Sequence, residues 1–159
     1  MEQVIGIGGV FFKSTDPATL TRWYVDKLGL PQPAGSDPSV LFRWMRIDEP
    51  HAATYSVWSP FPQATDYFQP STASFMINFQ VRDLDAMLAQ LRAAGAVVDP
   101  RVEDTPYGRF GWCQDPEGNR IELWQPVSAR EDLLQSIEAW RDLFERTVLS
   151  IPAERRETP

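Results

Sequence analysis

Apolar residues crowd the stretch IGIGGVFFK at residues 5–13 and then thin to a helical spacing at Leu20, Trp23, Tyr24 and Leu28. Asp16-Pro17 opens that second stretch and Gly29 closes it. These are the residue types that a helix start and stop require: the carboxylate accepts from first-turn amides, Pro has no amide to leave unpaired, and Gly tolerates a left-handed cap. The same signals return later in the chain. Residues 74–81 form a second apolar run, Asp83 opens a helical pattern with Leu84, Met87, Leu88 and Leu91 on one face, and Gly95 closes it.

The similarity extends to the strands that follow. RWMRIDEPHAATYSVWSP at residues 43–60 lies over RFGWCQDPEGNRIELWQP at residues 109–126 without a gap. Arg43 meets Arg109, Pro50 meets Pro116, Trp58 meets Trp124 and Pro60 meets Pro126. Each half therefore reads as strand, helix and then about three strands, with VLFRWMRID and TYSVWSP in the first half. RFGWCQD, RIELWQP and a shorter strand at Val97-Val98 belong to the second. Asp115-Pro116-Glu117-Gly118-Asn119 is a reverse turn, and Glu49-Pro50-His51 is its counterpart.

This pattern divides the chain into a two-module domain at 5–127, made of 5–60, a Pro-rich linker at 61–72 and 73–127. Ser128 and Glu131 then form a capping box for an amphipathic helix over 128–150, with Leu133, Leu134, Ile137, Trp140, Leu143 and Phe144 on its stripe. That helix packs on its own domain, meets a second copy in a homodimer, or covers a cleft. Residues 151–159 form a charged tail.

Composition narrows the chemistry. The chain has 159 residues, 15 Lys plus Arg against 22 Asp plus Glu, one His and one Cys. An acidic protein whose charge of -7 is spread over all its segments does not bind nucleic acid through phosphates. A lone Cys113 closes no disulfide, and one Cys with one His builds no zinc site of that kind. Neither a leader nor a membrane-spanning run is apparent, so a cytoplasmic protein with no membrane role is expected. His51 reads as a surface turn residue and Cys113 as a buried, unreactive thiol.

Two βαβββ halves in tandem, VFFKSTDPATLTRWYVDKLGL near the start and DPEGNRIELWQP at the end together resemble the vicinal oxygen chelate superfamily. That superfamily holds glyoxalase I, extradiol dioxygenases and bleomycin-resistance proteins. WSPFP and FMINFQVRDLDAML resemble a glyoxalase-like branch of it. The resemblance implies an α+β fold in which two tandem βαβββ modules curl a mixed sheet into a cup, here with an extra C-terminal helix. It also implies four inward positions, on the first and last strand of each half, where metal-dependent members commonly carry His and Glu. Carried over, these fall on Gly9, Ser56, Met76 and Glu122. Only Glu122 suits a hard divalent ion, so neither a metal nor another cofactor is expected.

Period-two alternation then supplies the cup lining. Arg120, Glu122 and Trp124 share one face of the last strand, and Thr54, Ser56 and Trp58 share one face of its counterpart. Phe11 and Lys13 have the parity of Gly9, while Asn78 and Gln80 have that of Met76. Arg46 and Trp112 are also read as inward-facing. A lining of aromatic rings with a few polar groups describes a small-molecule pocket. Core filling and ion pairing of Glu122 with Arg120 or Lys13 remain open beside it.

Three functions for the cup follow, beside a fourth reading in which the cup is vestigial and the terminal helix scaffolds an assembly. One is metal-independent sequestration of a cationic or aromatic small molecule, as the bleomycin-resistance likeness implies. Another is an enzyme acting on a small carbonyl or carboxylate compound with Glu122 as general base, since a carboxylate buried among Trp rings gains basicity. The third is a metal-dependent glyoxalase or dioxygenase, which the ligand count disfavours.

Overall fold

The computed structural model describes residues 1–31, 38–46 and 53–127. The expected helix at 128–150, the tail, and His51 lie outside the described residues. Among the described residues nine elements follow in chain order. They are β1 (Val4–Ser14), α1 (Pro17–Leu28), β2 (Val40–Met45), β3 (Ala53–Pro62), β4 (Phe75–Val81), α2 (Leu84–Ala93), β5 (Val97–Thr105), β6 (Gly108–Gln114) and β7 (Arg120–Pro126).

Among the described residues both helices start on the residues that their sequence signals name, and α1 stops on Gly29, whereas α2 is capped by Ala94, one residue before the expected Gly95, which takes φ 79 just beyond. The Asp16 carboxylate accepts from the Thr19 amide at 3.0 Å and Asp83 accepts from Ala86 at 2.9 Å. Gly29 takes the left-handed conformation at φ 69, and its amide reaches the Val25 carbonyl. β5 is longer than its sequence suggested, because pairing with β6 resumes at Val102 after an irregularity and continues to Thr105.

The seven strands form one curved, mixed sheet in the order β2-β3-β1-β4-β7-β6-β5. β1 and β4 are antiparallel at its centre, and each is flanked by the last strand of its own half in parallel, β3 beside β1 and β7 beside β4. The α+β architecture expected from the repeat is thus present, with the first strands of the two halves as its seam.

The faces of the sheet bury different groups. Val81, Leu84, Met87, Leu88, Cys113 and Leu123 form the cluster under α2. Each large aliphatic side chain buried there contributes about 1.5–3 kcal/mol. Behind the first half, Trp58 of β3 packs on Tyr24 of α1 with ring centroids 4.8 Å apart. On the cup face a second cluster gathers Phe11, Phe68, Met76 and Trp112, with Val57, Phe61, Tyr67 and Phe110 packed around it.

Candidate functional site

The ladder registers set which side chains look into the cup. Gly9 is opposite Val57 on one side and Asn78 on the other, Asn78 is opposite Glu122, and Glu122 is opposite Trp112. Residues opposite one another share a face. One row therefore crosses five strands as Val57, Gly9, Asn78, Glu122 and Trp112. Phe11 and Met76 form the neighbouring rung.

This register corrects the reading of β3. Ser56 and Trp58 were expected in the cup, but Val57 occupies the position beside Gly9, and Trp58 faces α1 and Phe12 instead. The Ser56 hydroxyl donates to the Ile7 carbonyl and accepts from Trp44 Nε1, which ties β3 to its neighbours where β1 and β3 part. The gapless alignment of the repeats was one residue off at this strand, and a slip of one exchanges the two faces. Trp58 and Trp124 match in sequence and yet stand on opposite sides of the sheet.

Glu122 lies at the bottom of the cup, 2% exposed. Asn78 Nδ2 donates to its Oε1 at 2.7 Å, while Trp112 Nε1 donates to Oε2 at 2.9 Å. The Tyr67 hydroxyl also donates to Oε2. Burial pushes the Glu122 carboxyl above its ordinary value, and the three donors oppose that shift without cancelling it. Burial, followed by the charge of Glu122, pushes the Tyr67 phenol up as well, so it stays protonated as a donor.

Tyr67 comes from the segment at 61–72, expected to be a linker. Its aromatic residues turn into the cup instead. Phe68 is fully buried, Phe61 stacks on Tyr67 at 5.4 Å with 9° between the rings, and Tyr67 meets Trp112 edge to face at 6.3 Å. Local turn bonds shape the backbone there, from Thr65 N to Pro62 O, Gln69 N to Asp66 O and Ser71 N to Phe68 O. Phe61 and Pro62 are the last residues of β3, opposite Lys13 and Ser14, and we call the stretch beyond them, residues 63–72, the strap.

Beside the strap opens a cavity of about 490 Å³ lined by Asp66, Tyr67, Gln69, Pro70, Asp99, Arg101 and Arg120. Arg120, 5% exposed, donates to the Gln69 carbonyl and to Asp99 Oδ2 at 3.0 Å. Its guanidinium lies 5.2 Å from the Trp112 ring and that of Arg101 lies 4.3 Å from it. Arg101 is half exposed, and its pairing with Glu103 at 3.5 Å is too open to hold it firmly.

The other expected residues have varied surroundings. Phe11 and Met76 line it, and Lys13 sits over the Phe68 ring at 5.6 Å. Gln80 accepts from Thr54 Oγ1 at 3.0 Å and donates to the Tyr55 carbonyl at 2.8 Å, which makes it a brace between β4 and the start of β3. Trp124 stacks on Phe110 and bonds the Tyr107 carbonyl. Arg46 is buried immediately after β2. The strap, Asp99 and Arg101 were not anticipated. Phe61, Tyr67 and Phe68 within a polar, Pro-rich stretch were the signal available for the strap.

The row does not fit a divalent ion. Gly9 has no side chain, Val57 is aliphatic, Asn78 has its amide N–H on Glu122, and both oxygens of the one carboxylate are engaged. Met76 adds a thioether two residues away, a poor partner for a hard cation. Among the described residues no three His, Cys, Asp or Glu are grouped closely enough to share an ion.

Comparison with known proteins agrees with this architecture. Methylmalonyl-CoA epimerase from Mycobacterium tuberculosis superposes with a TM-score of 0.53 at 20% identity, covering 81% of this chain and 93% of its own. A Streptomyces coelicolor methylmalonyl-CoA epimerase variant in complex with 2-nitronate-propionyl-CoA gives 0.57 at 16% identity, covering 79% and 100%. A methylmalonyl-CoA epimerase in complex with methylmalonyl-CoA and NH4+ gives 0.59 at 15%, covering 80% and 98%. At such identities the likeness is one of fold. No curated protein matches the chain. No helix among the described residues is long and apolar enough to cross a membrane. The family model for the Glyoxalase/Bleomycin resistance protein/Dioxygenase superfamily matches residues 7–123, most of the length that forms the sheet, and the chain belongs to that superfamily.

Proposed function

We propose that this protein binds a small molecule in the cup and its adjoining cavity without using a metal ion. The observation that carries this reading is the row Val57, Gly9, Asn78, Glu122 and Trp112. It presents a single carboxylate, and that carboxylate is committed to Tyr67, Asn78 and Trp112. Beside it lies a cavity of about 490 Å³, within the usual range of roughly 300–1,000 Å³ for small-molecule sites. Its wall combines the Tyr67 ring, two guanidinium groups and two carboxylates. Arg101 is the group best placed to meet a ligand, since it is half exposed over the Trp112 ring and weakly paired.

The test is a thermal-shift and tryptophan-fluorescence screen of chelator-treated protein against acyl-CoA esters, small carboxylates and aromatic compounds, cations included. The expected result is at least one ligand that raises the melting temperature, and Arg101→Ala weakens that ligand. Shifts that appear only when a divalent ion is restored would contradict the reading.

One observation favours a catalytic extension. Burial leaves Glu122 more basic than an ordinary carboxylate, as a general base near neutral pH requires. Glu122 becomes available to a substrate only when Tyr67 leaves it. Turnover of any ligand from the screen that Glu122→Gln abolishes, with binding kept, would support this extension. Binding without turnover in the wild type would exclude it.

A further inference from the structure

The strap fills the cup much as a ligand would. The Tyr67 ring lies flat on Phe61, meets the edge of Trp112 and delivers one hydrogen bond from its far end to Glu122 Oε2. Tyr67 itself lies outside the strands, and the residues that its ring touches, Phe61, Trp112 and Glu122, are strand residues. The strap around it continues from the end of β3 and is shaped by local turn bonds, and its contacts with the sheet are made through side chains and one carbonyl, among them Tyr67 on Glu122, Phe61 and Trp112, Phe68 on Phe61, and Gln69 O on Arg120 Nη1. The cavity borders the same segment, being lined by Asp66, Tyr67, Gln69 and Pro70. An empty volume beside a ring attached outside the sheet gives that ring somewhere to go. Segments with few long-range backbone bonds open at lower free energy than the sheet they cover.

A buried carboxylate is a costly choice for plain core filling, because apolar groups of similar volume would pack there without a charge to desolvate. Its worth lies in directionality: Glu122, fixed by Asn78 and Trp112, accepts one more donor, and Tyr67 supplies it. We propose that Tyr67 is a built-in stand-in for the ligand. The cup then takes a flat ring that carries a hydrogen-bond donor, and this ring displaces Tyr67 into the cavity and donates to Glu122 in its place. The inference rests on metal-free binding in this cup and adds the class of ligand and the movement that admits it. Aryl hydroxyl and aryl N–H compounds fit, whereas rings without a donor leave a buried oxygen unpartnered.

The experiment uses 4-fluorophenol and fluorobenzene as probes on the full chain, followed by fluorine NMR, with hydrogen exchange of the strap amides measured in parallel. Wild-type protein is expected to bind 4-fluorophenol saturably, with faster exchange at 65–71 and unchanged exchange in β7. Removing the competing ring in Tyr67→Ala tightens binding by about tenfold or more, because the open state no longer has to be populated first. Fluorobenzene binds about tenfold more weakly than the phenol in both proteins. Should Tyr67→Ala fail to fold, Tyr67→Phe keeps the ring, lacks the hydroxyl, and is expected to bind the phenol more tightly than wild type. The proposal is overturned if 4-fluorophenol binds only Tyr67→Ala, which would make the site an engineered hole, or if fluorobenzene binds equally well. A ligand from the metal-free screen that leaves strap exchange unchanged overturns it too, while binding without a metal survives.

Discussion

The Tyr67 hydroxyl donates to Glu122 Oε2 and so joins a turn outside the sheet to the carboxylate at the bottom of the cup. This one bond links the packing of the strap to the protonation of Glu122. Disturbing either residue changes the other.

Substituting Glu122 isolates its share of the pH dependence. Its folded pKa is raised above the ordinary 4.5, so between the two values the folded state binds more protons than the unfolded chain. The stabilisation is full below 4.5 and is lost as pH rises through the folded value. Urea unfolding of wild type and Glu122→Gln across this window should show a decline in the wild type that the variant lacks. Asn78 can turn its amide in the variant, because its Oδ1 has no partner among the described residues and would accept from the new amide. A difference between the two proteins that is independent of pH would rule out this account of Glu122.

Asp99 holds a buried cation. Without it Arg120, 5% exposed, keeps only the Gln69 carbonyl of its two bonded partners. Breaking one side of a buried pair costs about 3 kcal/mol, and Asp99→Ala is expected to lose that much in urea unfolding. The Arg101 amide, helped by Arg120, keeps the Asp99 carboxyl below its usual 3.8. Its contribution is therefore present above that pH and fades as acid brings the pH through the lowered value. A loss within about 0.5 kcal/mol, as at ordinary surface sites, would show that Arg120 needs no partner there.

Gly8 and Gly29 should respond differently to alanine. A Cβ on Gly8 would fall 2.0 Å from Asn78 Oδ1 and 2.8 Å from the Trp124 ring, and both residues are buried. Gly8→Ala must push Asn78 off Glu122, at a cost of about 2–3 kcal/mol. At Gly29 no atom of the described residues lies within 4 Å of such a Cβ, and the left-handed backbone at φ 69 is what resists the substitution, at about 1 kcal/mol. Equal losses in thermal denaturation would contradict the crowding at Gly8.

Cys113 belongs to the layer under α2, where burial pushes its thiol up to about 11. At pH 8 the native protein should resist iodoacetamide over a time in which the urea-unfolded chain is fully alkylated. Rapid labelling of the native protein would mean that this layer opens far more often than its packing allows.

The repeat, both helix N-caps, the Gly29 cap of α1 and the seven strands were legible because each rests on local signals, namely Asp and Gly punctuation and apolar spacing. The cup was legible only in part. Phe11, Met76, Asn78, Glu122 and Trp124 keep the face that their parity assigns, and Trp112, on a strand with large residues on both faces, lies opposite Glu122, whereas Ser56 and Trp58 lost their face to a one-residue slip that the matching Trp and Pro residues concealed. The strap was missed for another reason. Its place in the cup depends on Phe68 and Tyr67 meeting β6 and β7, strands far along the chain, and no periodicity within the segment reports such a contact.

Binding without a metal is most directly tested by calorimetric titration of the tightest ligand from the screen into protein extensively treated with chelator, and again after restoring divalent cobalt, manganese or magnesium. One dissociation constant is expected in all cases, with elemental analysis showing far less than one ion per chain in the treated sample. Binding that vanishes on chelation and returns with one equivalent of metal would contradict it.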